Sequence, residues 1–467
     1  TRRSSDLYAN IVPPSWMFLS TFEGLRRSII EDQTISSLLH LSRGVFGADF
    51  GSVSTVIQNC ETKNAKGTYF RLIERTFQEF DQKHLKMLFE KTLANHDFKF
   101  FFADYTKDVT DIEYSENGAK IYYPNVGQEN FEKIPGNVIG YWLSPTMLSL
   151  FENSKPLSSE ARAVAGIQTG DNERFVRLWH EVSKQKLITQ DYTFDKKWYP
   201  YNKGGSFRKW YGNQELVVNW ENNGKELKSF KRATLRNPTL YFRPSISWSL
   251  TSSVACGFRY NPNAALFDIN GMSLFPIGNR SHYFYLSALN TKVYQRINNI
   301  INPTLATQCG DVSRFPAPKH GANENQVIRL GKENVYISRH DWDSHETSWD
   351  FEANPLVAMV GGAASLPHNN GHEATGGAAF LPHNNGVNDP SDAGSVRQEC
   401  RTSYRLEDLV KAFEAEWTER FMQLHQNEEE LNRQFIEIYG LQDELTPDVP
   451  LSEITILQQG EITIENE

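Results

Sequence analysis

The chain has 467 residues, a formal net charge of -9, 39% hydrophobic residues and a mean hydropathy of -0.53. That length allows two to four domains and a sizeable core. No apolar run is long enough to span a bilayer, which excludes a helical membrane protein and leads to the expectation of a cytoplasmic one. The four cysteines, Cys60, Cys256, Cys309 and Cys400, are scattered with no C-x-x-C pair, which argues against a disulfide framework or a zinc site. The first residues, Thr1-Arg2-Arg3-Ser4-Ser5, lack an initiator Met and a signal-peptide apolar region, and read as a chain cut from a longer one.

The total charge hides its distribution. From Lys196 to Arg236 there are ten Lys/Arg against three Asp/Glu, and from Arg401 to Glu467 five against sixteen. The acidic tail therefore accounts for the whole negative total, and a basic stretch remains that suits a nucleic acid.

Taken in order, Ser15 to Ile30 reads as a helix, with Trp16, Leu19, Phe22 and Leu25 at three-residue spacing. The β-branched run Val53 to Ile57 reads as a strand. Val12-Pro13-Pro14-Ser15 has the prolines of an adenine methyltransferase motif, [Asn/Asp]-Pro-Pro-[Tyr/Phe], but neither working end. Valine has no side-chain acceptor for an amino group, and serine cannot stack on a flipped base. Gly44-Val45-Phe46-Gly47 is too short for a cofactor loop. The second half of Gly67 to Leu93 is helical in pattern. Glu116-Asn117-Gly118 makes a turn before the strand-like Ile121-Tyr122-Tyr123.

The stretch from Gly166 to Gly212 is unlike a buried strand or an amphipathic helix. It opens with Gly166-Ile167-Gln168-Thr169-Gly170-Asp171-Asn172-Glu173-Arg174-Phe175, in which two glycines bracket a polar turn. Asp171 or Asn172 can cap a helix carrying Phe175, Val176 and Trp179. It closes with Lys196 to Gly212, where lysines and arginines alternate with Trp198, Tyr199, Tyr201, Trp210 and Tyr211. Cations interleaved with aromatics suit phosphates and bases, or else a partly buried β-domain whose aromatics are core.

Further on, Glu215 to Trp220 is strand-like and Asn222-Asn223-Gly224 is a hairpin-type turn. Tyr241 to Leu250 and Val254 to Arg259 alternate as strands. Tyr283 to Ile301 reads as one helix. His340-Asp341-Trp342-Asp343-Ser344-His345-Glu346 clusters His with carboxylates, but the two histidines alone make a poor metal site. Gly361 to Gly371 recurs at Gly376 to Gly386 with Ser365 replaced by Phe380, a duplicated linker composition. Leu406 to Ile438 carries an apolar stripe at three-four spacing, and Gly440 ends the helix.

Both halves of the Gly166–Gly212 stretch, G-x-x-T-G-D-N-x-R-F and W-x-P-Y-N-K-G-G-x-x-R-K-W-Y-G, closely resemble the target-recognition region of the adenine-specific DNA methyltransferases of BREX phage-exclusion systems, the PglX family. Ser15 to Arg26 and Arg43 to Gly51 resemble the closing part of that family's catalytic domain. Asp341 to Phe351 resembles the end of its recognition domain, and Glu428 to Pro447 its terminal helices. Leu289 to Val312 resembles a segment in which a helix is followed by a G-D-[IV] turn that re-enters a strand. The resemblance covers nearly the whole chain except about 360 to 400.

The resemblance implies a mixed α+β fold in four parts. Residues 1–110 would be the end of a Rossmann-like methyltransferase domain, and 111–352 a mixed α/β target-recognition domain. Residues 353–400 would be a flexible linker and 401–467 a helical spacer or tail. It implies double-stranded DNA and other phage-defence proteins as partners, with no membrane. S-adenosylmethionine would be the methyl donor, bound upstream with the catalytic motif, so that this chain alone is inactive and holds no catalytic, cofactor or metal residue. Lys203, Gly204, Gly205, Arg208 and Lys209 are the expected phosphate contacts, with Trp198 and Trp210 beneath them. Gln168, Thr169, Asp171 and Asn172 are expected at base edges, with Arg174 beside them. A non-catalytic DNA-binding defence scaffold and a sugar- or peptide-binding β-domain are the alternative readings.

Overall fold

The computed structural model describes residues 6–45, 51–60, 64–74, 79–188, 195–252, 255–262, 265–319, 321, 323–361 and 405–457. The duplicated Gly/Ala/Asn segment, Cys400 and most of the Arg43–Gly51 motif lie outside them.

The chain is mixed α/β. Its first sheet orders five strands as Leu7–Val12, Ser52–Gln58, Thr34–Leu41, Lys66–Arg71 and Tyr122–Gly127. The Thr34–Leu41 and Lys66–Arg71 pair is parallel and the other three pairs are antiparallel. The helix Glu23–Asp32 turns Ile29 and Ile30 toward this sheet, and the helix Gln82–Ala94 contributes Leu85 and Leu88 to a second core beside it.

Two four-stranded sheets follow. One orders Leu266–Phe267, Trp198–Asn202, Leu216–Asn219 and Val176–Leu178 over a core of Phe175, Tyr199, Tyr201 and Val218. The other orders Phe258–Asn261, Ser245–Ser249, Gly271–Pro276 and Ala161–Val164. The second of these shares one core with the helices His282–Leu289, Lys292–Ile301, Glu324–Asp343 and Leu406–Tyr439. That last helix buries Trp417, Phe421, Leu424, Leu431 and Phe435, the stripe read from spacing, and Gly440 closes it in the left-handed conformation, φ 69°.

Five local expectations change. Ser15 to Ile30 is not one helix: two short turns precede Glu23–Asp32. The fully buried Arg26 takes the carbonyl oxygens of Trp16 and Leu19, both at 2.8 Å, which a continuous helix would use for its own ladder. Phe22 and Leu25 consequently face out. Tyr283 to Ile301 breaks at Asn290, whose amide bonds both backbone groups of Phe258 at 2.9 Å, and Thr291 caps the second helix. Gly310-Asp311-Val312 lies in a helix, Cys309–Arg314, because Asp311 accepts from the Gln308 N–H at 2.8 Å and so closes its first turn.

Asn222, Asn223 and Gly224 do take left-handed φ values of 53°, 58° and 68°. They lead into a helical turn ending at Ser229 instead of a returning strand, since Leu216–Asn219 already has partners on both sides. Asp171 does cap a helix, accepting from the Arg174 N–H at 3.1 Å. That helix is only Asn172–Phe175, and the chain extends at once into Val176–Leu178, leaving Trp179 outside it.

Candidate nucleic-acid interface

The turn from Gly166 to Arg174 is held from behind by the segment Phe230–Arg236. Gln168 exchanges backbone hydrogen bonds with Thr234 at 2.9 and 2.8 Å. Gly170 sits at φ 70°, and a Cβ there would lie 2.5 Å from the Arg232 carbonyl oxygen, so only glycine fits. Two ion pairs tie the surface together, Asp171 with Arg232 at 3.2 Å and Arg174 with Glu226 at 2.7 Å. Gln168, Asn172 and Arg174 are exposed on the outer side, and Thr169 is buried beneath them.

A chain of polar contacts links this turn to the core. Asp268, 1% exposed, accepts the Tyr201 hydroxyl at 2.5 Å and the Lys203 ammonium at 3.0 Å on the same oxygen. Burial and the adjacent Asp268 carboxylate push the Tyr201 hydroxyl well above its ordinary titration range, so it stays a donor. Lys203 also reaches the Asn172 side-chain oxygen at 3.4 Å, and Thr169 donates to that oxygen at 2.7 Å. Lys203 is thus half-committed inward, although its side chain keeps 22% exposure. The Gly204–Gly205 pair has an inward reason as well. Side chains there would meet the Asn270 carbonyl at 2.9 Å and the Asn213 side chain at 2.7 Å.

Arg208 and Lys209, expected on phosphates, point the other way. Lys209 pairs with Glu428 on the long C-terminal helix, each side chain 3% exposed. Trp210 donates its indole N–H to the second oxygen of Glu428 at 2.7 Å. Arg208 pairs with the buried Asp341, stacks 5.1 Å from the Trp342 ring centre and donates to the Tyr211 carbonyl at 2.7 Å. Asp341 also accepts the Leu457 N–H at 2.8 Å, and the Lys209 N–H reaches the Thr455 hydroxyl at 3.0 Å. Neither cation can leave for a phosphate without stranding a buried carboxylate. Nearby, Arg259 is also fully enclosed, and burial lowers its guanidinium to about 10. The carboxylate of the His340–Glu346 cluster that faces inward is therefore an ion-pair partner for Arg208.

The cations that do face solvent lie in the segment after the left-handed turn. Lys225, Lys228, Lys231 and Arg236 are exposed and form no ion pair among the described residues. Lys228 lies 5.2 Å over the Trp220 ring. Sequence reasoning counted these residues in the basic balance without singling them out. The available signal was the spacing of Lys225, Lys228 and Lys231, three residues apart. They alternate in sequence with Glu226, Arg232 and Thr234, the residues that contact Arg174, Asp171 and Gln168.

Pro14–Met17 forms a tight turn with Pro14, Trp16 and Met17 buried, and the Ser15 carbonyl is engaged by the Leu19 N–H at 2.9 Å. No helix among the described residues is long and apolar enough to cross a membrane.

Comparison with known proteins finds curated relatives that are adenine-specific methyltransferases. It is a homologue of part of the BREX enzymes PglX and BrxX. It is 32% identical to the adenine-specific methyltransferase PglX of Lacticaseibacillus casei (strain Zhang), over 97% of this chain and 34% of the relative. It is 33% identical to the adenine-specific methyltransferase BrxX of Escherichia coli O9:H4 (strain HS), over 76% of this chain and 27% of the relative. The chain thus spans about a third of the length of these curated relatives. No protein-family model matches it. Among solved structures it is similar to the type IIL restriction-modification enzyme MmeI in complex with DNA, 10% identical with a TM-score of 0.39, over 94% of this chain and 48% of that one. The DrdV–DNA complex is also 10% identical, with a TM-score of 0.34, over 72% of this chain and 38% of that one.

Proposed function

We propose that this chain recognises the DNA target within a site-specific adenine N6-methyltransferase of a BREX phage-defence system. The reading assigns residues 1–110 to the end of a Rossmann-like catalytic domain, 111–352 to target recognition, and 401–467 to a helical support. One observation carries it. Exposed cations without acidic partners among the described residues, Lys225, Lys228, Lys231 and Arg236, flank the segment that contacts the turn carrying the exposed amides of Gln168 and Asn172, in a chain homologous to adenine-specific methyltransferases. The cations would meet phosphates and set register, and the amides would meet base edges in the major groove.

S-adenosylmethionine, held elsewhere in the complete enzyme, would supply the methyl group. Nothing at Val12–Ser15 offers a base the amide and aromatic ring that the chemistry needs, so the role of this chain is to bind, orient and present duplex DNA. Other defence proteins would contact the complete enzyme.

A salt titration of duplex binding tests the reading. Replacing Lys225, Lys228 and Lys231 with Ala should weaken all duplexes alike and reduce the log–log salt slope by about two to three, roughly 0.9 for each phosphate that is no longer neutralised. An unchanged slope in a folded variant would mean that this face does not meet DNA.

A further inference from the structure

We propose that Asn172 is a specificity-determining residue whose amide is locked so that it presents donors, and no acceptor, to a base edge. This rests on the DNA-recognition reading above and sharpens it to an atom.

Asn172 is exposed, yet its side chain is not free to turn. Its Oδ1 accepts from the Thr169 hydroxyl at 2.7 Å and faces the Lys203 ammonium at 3.4 Å. A lysine ammonium has three donors and no acceptor, so the atom facing it must be the amide oxygen. A flipped amide would set N–H groups against a cation. Lys203 is itself anchored by Asp268 Oδ2 at 3.0 Å, and Asp268 is held by the Tyr201 hydroxyl and by the Asn270 N–H at 2.8 Å. A buried carboxylate therefore orients Lys203, and Lys203 with Thr169 orients Asn172.

Both lone pairs of Oδ1 are engaged, whereas Nδ2 makes no hydrogen bond among the described residues. A free asparagine reads adenine bidentately, accepting from N6 and donating to N7. Asn172 lacks the spare acceptor for that. It fits base atoms that accept, N7 and O6 of guanine, O4 of thymine or N7 of adenine, and it is mismatched to the N4 amino group of cytosine. Gln168 is different. Its backbone is pinned to Thr234, but its exposed side-chain amide has no hydrogen bond among the described residues, so it keeps both a donor and an acceptor.

Selection from a randomised duplex library, with sequencing of the bound fraction, tests the assignment. Wild type should enrich a motif. N172D replaces the outward donors with an acceptor and should move one position of that motif toward cytosine, leaving the other positions intact. N172A should relax the same position, with discrimination falling about tenfold, as expected for the removal of a single base-edge hydrogen bond. The double variant K203M/D268N removes the anchor without leaving a lone buried carboxylate, and should relax that position too while Asn172 itself is unchanged. A simple loss of stability would lower affinity at every position instead. A wild-type chain that binds no duplex would overturn the recognition reading and this inference with it. A wild-type motif that survives intact in folded N172D and N172A would overturn the assignment of Asn172 alone.

Discussion

The turn Gln168–Arg174 and the loop Arg208–Gly212 lie on the same protein and look alike as sequence, since each sets polar or charged residues beside glycine. The structure sends them in opposite directions. The first displays Gln168, Asn172 and Arg174 to solvent over a hydrogen-bonded base. The second hides Arg208, Lys209 and Trp210 against two helices. The difference is decided by acids far away in sequence. Glu428 and Asp341 reach the loop, and two buried carboxylates require two cations. Around the turn, Glu226 and Asp171 meet Arg174 and Arg232 at the surface, where water screens the pairs and leaves the side chains exchangeable.

Breaking the buried pair should have the largest effect. Lys209→Met leaves Glu428 enclosed with a weakened partner set and should cost about 3–5 kcal/mol of unfolding free energy, as for other buried pairs stripped of one member. Adding Glu428→Gln, which keeps an acceptor for the Trp210 indole, should restore most of that stability. Denaturant melts of the two singles and the double measure the coupling. If Lys209→Met instead left stability intact and abolished DNA binding, the contrast between turn and loop would be reversed.

Gly170→Ala should come next. The residue is at φ 70°, and the new Cβ would press on the Arg232 carbonyl 2.5 Å away. The expected cost is about 1–3 kcal/mol, with the turn displaced from Phe230–Arg236. Thermal melts would show a modest drop, and duplex affinity should fall further than the melt accounts for. Equal affinity in the variant would separate the turn from DNA recognition.

Arg232→Ala should do least to the fold. Its pair with Asp171 is well exposed and should contribute under about 1 kcal/mol. A larger drop in a denaturant melt would mean that the outer face is built like the inner one.

Much of the fold was legible from periodicity. The stripe of Leu406–Tyr439, the helix Gln82–Ala94 and the strand Ser52–Gln58 all follow from spacing that burial later uses. The breaks were not legible, because each depends on a distant group, as Asn290 depends on Phe258 and Arg26 on the Gly136 carbonyl as well as two near ones. The candidate site divides in the same way. Residue type and glycine spacing located the turn Gln168–Asn172. They misplaced Arg208 and Lys209, since the partner of Lys209 lies 219 positions away and a cation's direction is set by where its counter-charge sits. They passed over Lys225, Lys228 and Lys231, whose significance comes from lacking such a partner.

The Lys209–Glu428 pair also limits how specificity can be exchanged. A chimaera that took the segment 111–352 from one relative and the C-terminal helix from another would join two halves of a single buried contact. Unless both donors carried the same lysine and glutamate, the graft would enclose an orphan charge at its seam. A transplant that preserves the proposed recognition face must therefore carry Leu406–Tyr439 and the strap through Leu457 with it, so the exchangeable unit is longer than the surface proposed to meet DNA.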